Sequence, residues 1–160
     1  MVLSKVVGEL IDKCVVEFRK EENMERINKN VIDPLIYHLL KNKQSDVITI
    51  SPPLNLTTKE FGKCPAYTIS KYNMSMVTLA LSQAYKKDGL RANSLWPKTT
   101  VDSAAVRNLF PPQVLQASRK PSIVADAAFG IIQKPATSFS GHFLLDEDFL
   151  RSEGTEDFSQ

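Results

Sequence analysis

The sequence predicts an α/β protein built on a small parallel sheet. Three observations carry this. Short apolar runs rich in β-branched residues or leucine recur at residues 47–50, 90–96 and 142–145. Helical stretches lie between them, and the first two runs stop at proline. Strands separated by helices imply right-handed parallel crossovers. A chain of 160 residues fits one ordinary domain. Its hydrophobic share of 42% supplies a core, and a charged share of 24% is that of a folded rather than a disordered chain.

In chain order, residues 3–32 read as a long amphipathic helix. Val7, Leu10, Ile11, Cys14 and Phe18 recur at three- and four-residue steps, continued by Met24, Ile27 and Val31. Asp33-Pro34 marks a break and restart, with Asp33 as N-cap and Pro34 at the first helical position of a helix reaching Leu40. Val47-Ile48-Thr49-Ile50 reads as a strand buried on both faces, ending at Ser51-Pro52-Pro53. A loop follows, then a helix from Pro65 to about Lys86 whose apolar face would be Ile69, Met76, Val77, Leu79, Ala80 and Leu81. Asp88-Gly89 closes it. Leu90–Trp96 is the second strand, residues 99–110 hold a short helix, and 121–133 form another with Pro121 at its start. His142–Leu145 is the third strand, and the acidic tail from Asp146 is expected to pack loosely. The organisation is therefore a helical segment at 1–33, an α/β unit at 34–150 and a flexible tail at 151–160.

Composition narrows the function. The net charge is +2 with both signs interspersed, so nothing points to nucleic acid. Cys14 and Cys64 have neither zinc-ligand nor disulfide-framework spacing and read as free, buried thiols. His38 and His142 lie far apart with no third ligand, so no metal site is expected. No apolar run spans a bilayer. Glu9, Asp12 and Lys13 interrupt any signal-peptide core, and the final residues are not a peroxisomal address.

Tyr67 and Lys71 stand four residues apart at the start of the central helix, which puts both on one face. A tyrosine that donates a proton near neutrality needs its pKa, ordinarily about 10, brought down, and a neighbouring ammonium favours the phenolate. Ser51, where the first strand ends, stands where sites collect in open α/β sheets. The spacing alone decides little, because Tyr37 and Lys41 repeat it without a preceding strand or serine. An amphipathic tyrosine beside a solvated lysine would look the same.

A colinear series of segments is more specific. Ile50-Ser51-Pro52-Pro53-Leu54-Asn55-Leu56, Ala66-Tyr67-Thr68-Ile69-Ser70-Lys71-Tyr72, Asn93-Ser94-Leu95-Trp96-Pro97-Lys98-Thr99, Ile123-Val124-Ala125-Asp126-Ala127-Ala128 and Ser140-Gly141-His142-Phe143 appear in that order. Together they resemble the catalytic half of the short-chain dehydrogenase/reductase family. The resemblance implies a partial Rossmann-like domain of three parallel strands with helices, following the N-terminal amphipathic helix. It implies reversible hydride transfer between NAD(P) and a small carbonyl or alcohol. Tyr67 would be the acid/base. Lys71 would lower the tyrosine pKa and hold the nicotinamide ribose, and Ser51 would orient the substrate carbonyl. Pro97, Thr99 and Thr100 would line the nicotinamide end of the cofactor, alongside Tyr67 and Lys71. It implies an intracellular protein, with peroxisome and mitochondrion both open, and pairing as a homo-oligomer or with another chain.

The chain departs from the family pattern in three places. Ser51 lies sixteen residues before Tyr67, farther than usual. Lys98 stands where a glycine is common. Gly8 is the only glycine before Gly62, so no glycine-rich nucleotide loop exists in that stretch. Two readings follow: a short-chain oxidoreductase present as a partial chain and inactive alone, or a non-catalytic interaction protein that pairs through its helices. The first carries an expectation about geometry. The Ser51 and Tyr67 hydroxyls should meet in one solvent-reachable crevice with Lys71 nearby.

Overall fold

The computed structural model describes residues 33–41, 44–57, 62, 64–135 and 138–158, and the expected helix over 3–32 lies outside them. In chain order the elements are α1 (Asp33–Leu40), β1 (Ser45–Ile50), α2 (Pro65–Ala84), a 3-10 turn (Lys86–Asp88), β2 (Leu90–Trp96), α3 (Ala104–Leu109), α4 (Pro112–Gln116), α5 (Ser122–Ile132), β3 (Phe143–Leu145) and α6 (Asp146–Ser152). The strands form one parallel sheet in the order β1-β2-β3. Register runs from Ser45 opposite Leu90 to Ile50 opposite Leu95, and from Ser94 opposite Phe143 to Trp96 opposite Leu145. The expected α/β architecture is borne out. Two apolar clusters cover the two faces. Ile36 of α1 packs with Val47, Leu90 and Ala92, while Leu95 packs with Ala127 and Ile131 of α5 and Phe149 of α6.

β1 begins two residues earlier than its apolar run, and the cause is a buried charge. Arg91 is only 1% exposed, opposite Asp46 in register. Its guanidinium pairs with the Asp46 carboxylate at 2.6 Å and donates to the carbonyls of Ile132, at 3.0 Å, and Lys134. Those carbonyls are at the C-terminal end of α5, where helix carbonyls lack partners and a cation is favoured. One side chain thus joins β1, β2 and α5. The polar start of β1 is ordered because Asp46 must meet Arg91, which hydrophobic patterning does not reveal.

α2 faces the sheet differently from its hydrophobic pattern. Its buried residues are Tyr72, Met74, Ser75, Thr78 and Ser82, whereas Ile69, Met76 and Leu79 are exposed. This corrects the expected apolar face. Small hydroxyl residues let the helix approach the strands closely, and each can satisfy its oxygen within the helix. Thr78 donates to the Met74 carbonyl at 3.0 Å, and Ser82 to that of Leu79 at 2.7 Å. The same close packing explains Gly141, which has φ +83°. A Cβ there would lie 2.9 Å from the Ser82 hydroxyl. Gly89, with φ 80°, closes the turn after α2 as its position predicted.

Other expectations are corrected too. The residues from Asp146 are not loose: they form α6, with Asp146, Glu147 and Phe149 buried. Three acids in its first turn, Asp146, Glu147 and Asp148, suit the helix dipole. Cys64 is exposed rather than buried, at the N-cap of α2, while Cys14 lies outside the described residues. α4, opened by Pro112, was not anticipated because Pro111-Pro112 reads as a break. Among the described residues no helix is long and apolar enough to cross a membrane. No group of three or more His, Cys, Asp or Glu among them is arranged to hold a metal ion.

The Arg91–Asp46 pair yields a test. Removing one partner of a buried pair strands the other, at a cost of about 3 kcal/mol or more. Asp46→Ala should therefore lower the unfolding free energy in urea by about that amount. Arg91→Met should cost less, because it deletes the deeply buried charge and keeps an apolar stem. The reverse order would show that the guanidinium is not the organising partner.

Candidate active site at the carboxyl ends of β1 and β2

Parallel pairing brings the carboxyl ends of β1 and β2 together, and α2 begins above them. Pro65 opens α2 at its first turn, and Cys64 is its N-cap without a side-chain cap bond. Lys71, in the second turn, reaches down to both strand ends. Its ammonium donates to the Ile50 carbonyl at 3.1 Å, approaches the Met74 sulfur at 3.8 Å and lies 5.4 Å from the centre of the Trp96 ring. One turn earlier, Tyr67 is 51% exposed, with its ring centre 6.0 Å from the Lys71 nitrogen. The structure therefore puts Tyr67 and Lys71 side by side at a sheet end. Trp96, which ends β2, is half-buried and lies beside the ammonium.

Burial sets the electrostatics. It pushes the Lys71 ammonium below its ordinary pKa, since a cation loses hydration there. It also pushes the Tyr67 phenol above its ordinary value, and the Cys64 thiolate adds to this by repelling a phenolate. The expected lowering of Tyr67 by Lys71 is thus not realised in this chain. The phenol has the Cys64 thiol as its electrostatic neighbour, and the ammonium is directed at a backbone carbonyl.

Ser51 is not at the crevice. It is fully buried, and its hydroxyl lies 3.1 Å from those of both Thr49 and Ser94. Thr49 in turn meets Thr78 at 2.5 Å. Ser51 belongs to a chain of hydroxyls between the strands and α2, which corrects the expectation that it shares a solvent-reachable crevice with Tyr67. The loop after it is also tied down: Tyr72 donates to the Asn55 carbonyl at 2.6 Å.

The segment 97–100 leaves the end of β2 with Pro97 half-buried and Lys98, Thr99 and Thr100 exposed. Two structures hold it. The Lys98 N–H donates to Asp146 of α6 at 2.9 Å, and the Lys98 ammonium pairs with Asp148 at 2.6 Å and Glu147 at 3.5 Å. The Thr100 carbonyl accepts from the Arg119 N–H at 2.9 Å, and its hydroxyl accepts from Ser118 at 3.0 Å. Arg119 also pairs with Glu147 at 2.7 Å. The hydrogen bond from Arg151, aided by Lys98 and Arg119, holds the Glu147 carboxyl below its ordinary range. Sequence reading missed these supports, although the Asp146-Glu147-Asp148 run directly after an apolar strand could have signalled a helix start.

The donor set at the strand ends is an ammonium, a phenol and the exposed threonine hydroxyls of residues 99 and 100. It fits the polyhydroxyl, nicotinamide end of a dinucleotide. No glycine-rich loop accompanies it to receive the phosphates.

The chain is similar to known proteins in both sequence and fold. The chain is 45% identical over 123 residues to hydroxysteroid dehydrogenase-like protein 2 of Danio rerio and of Homo sapiens. Each match covers 77% of this chain and 29% of the relative. Among solved structures, a putative dehydrogenase from Xanthomonas campestris matches with a TM-score of 0.73 and 34% identity, over 84% of this chain and 49% of that one. A short-chain dehydrogenase from Mycobacterium thermoresistibile matches with a TM-score of 0.67 and 34% identity, over 84% and 48%. The chain thus spans under a third of those curated relatives and about half of those solved chains. No family model matches it.

The titration of Tyr67 tests the site's electrostatics. In the 160-residue chain its phenolate absorbance should appear above the ordinary tyrosine value of about 10. Cys64→Ser should bring that midpoint down, because it removes the negative charge that opposes the phenolate. An unchanged midpoint would show that Cys64 does not face Tyr67.

Proposed function

We infer that this chain, which belongs to the short-chain dehydrogenase/reductase family, carries the acid/base centre of an NAD(P)-dependent oxidoreductase acting on a small carbonyl or alcohol. The observation supporting this best is Tyr67 and Lys71 side by side at the carboxyl ends of two parallel strands, where ligands bind in open α/β sheets. In this reading the Tyr67 hydroxyl gives a proton to the substrate oxygen as a carbonyl is reduced, and takes it back when an alcohol is oxidised. Lys71, one helical turn from Tyr67, holds the nicotinamide ribose. Pro97, Thr99 and Thr100 line the nicotinamide end. The bound nicotinamide supplies or accepts the hydride. Ser51 contributes by bracing the strand end, since its buried hydroxyl is held by Thr49 and Ser94.

Residues 1–160 by themselves should not turn over. Remote binding energy is what holds a reacting group in place, and the pyrophosphate would find no glycine-rich loop here. The check is to add NADH or NADPH with a panel of ketones, aldehydes and 3-ketoacyl substrates and follow absorbance. Residues 1–160 should give none. A version extended by a nucleotide-binding half should be active and lose turnover in Tyr67→Phe while keeping cofactor affinity. Activity surviving that substitution would remove Tyr67 as the acid.

A second reading is favoured by one observation: Ile69, Met76 and Leu79 lie exposed on α2. A non-catalytic interaction protein would use this stripe to pair with another copy or another chain. Met76→Glu should then convert a dimer in sedimentation to a monomer without altering the fold. A wild-type chain that is monomeric at every concentration tested, and that binds NADH saturably, would exclude the pairing role.

A further inference from the structure

We propose that Ser75 and Ser94 are positioning residues for Lys71, holding the backbone after β1 so that the Ile50 carbonyl stays beneath the ammonium. The inference rests on the reading of Lys71 as a site residue only for its chemical purpose; the geometry stands apart from it. Three successive carbonyls, Ile50, Ser51 and Pro52, each accept from a different side chain: Lys71 at 3.1 Å, Ser94, and Ser75 at 2.7 Å. Lys71 and Ser75 come from adjacent turns of α2, and Ser94 comes from β2. Both serines are fully buried.

These bonds answer a backbone problem. β1 ends at Ile50, and the backbone that follows runs beneath α2, where a buried carbonyl without a donor is costly. Ser75 is placed to do more than fill the need. Its oxygen lies 2.7 Å from the Pro52 carbonyl and 3.4 Å from that of Lys71, so one hydroxyl touches both the loop and the lysine's own backbone. Alanine would pack nearly as well at either position, so the oxygen is what the position uses. Freed of these two donors, the segment 50–52 can rotate its carbonyls, and Lys71 loses its oxygen acceptor.

The groups facing the ammonium are few. Tyr67 is the titratable one, with Trp96 and the Met74 sulfur as the other neighbours. Among the described residues no carboxylate pairs with Lys71. Its protonation therefore reports on the carbonyl below it. Losing that acceptor removes support from the charged form, which drives the midpoint down.

The test uses the 160-residue chain with lysine labelled by carbon-13 at Cε, titrated by NMR, with the Lys71 signal assigned through Lys71→Arg. Ser75→Ala and Ser94→Ala should each move the Lys71 midpoint further below the wild-type value, by about half a pH unit. Ser75→Thr, which keeps a hydroxyl, should restore it. A midpoint that stays put, or rises because water enters, overturns the proposal. If Ser75→Ala does not fold, Ser94→Ala and Ser75→Cys decide in the same way. The readout needs neither cofactor nor turnover. A moved Lys71 in a protein without activity leaves positioning standing, and an unmoved one beside a working Tyr67 removes positioning alone.

Discussion

The Arg91 guanidinium is the constraint on which the rest of the arrangement depends. A charge that is 1% exposed needs partners, and those of its two terminal nitrogens come from β1 and from the end of α5. Asp46 fixes β1 against β2 in register, while the carbonyls of Ile132 and Lys134 fix the end of α5 over the same strand. Apolar packing disfavours a one-residue slip of β1 along β2, and the buried pair reinforces the register, because such a shift sends Asp46 as well as Val47 to the other face. The Lys71 site inherits this register. Ile50 and Trp96, which the ammonium touches together, face each other's strand ends only in this alignment.

A second feature, the hydroxyl-lined face of α2, sets how closely the helix can lie on the sheet. Ser75, Thr78 and Ser82 are small enough for close approach and satisfy their oxygens locally or on the strands. The consequence for chemistry is placement. A helix held farther away by leucines would carry Lys71 beyond reach of the Ile50 carbonyl. The apolar residues displaced from the inner face appear on the outside, as Ile69, Met76 and Leu79.

Much of this was legible in the sequence, for identifiable reasons. The strands were read correctly because 47–50 and 90–96 are apolar runs bounded by turn residues, and their parallel pairing followed from the helices between them. That Tyr67 and Lys71 share one face of a helix was legible because a four-residue spacing is a local property, while their reading as a site came from the flanking segments, since Tyr37 and Lys41 have the same spacing. What escaped were features set by tertiary partners. The inner face of α2 was misjudged because hydrophobicity marks what dislikes water, not what lets a helix come close. The order of α6 was missed because its acids gain from the helix dipole and from Lys98, Arg119 and Arg151, none adjacent on the chain except the last. Ser51 was assigned to the substrate because its place at a strand end is visible in sequence, whereas the direction of its side chain is not.

Phe158 extends this dependence beyond the last helix. Its ring lies 4.5 Å from the Arg151 guanidinium and 5.7 Å from that of Arg119, whose side chain also donates to the Phe158 carbonyl at 3.3 Å. Arg119 in turn grips the Thr100 carbonyl through its own backbone. The stretch between Ser152 and Phe158 is therefore measured as much as composed. An insertion or deletion there would pull the ring from between the two arginines and be felt at Thr100, and Gly154, with φ +92°, fixes the turn that sets the path. Selection on this stretch would act on its length as well as on that glycine.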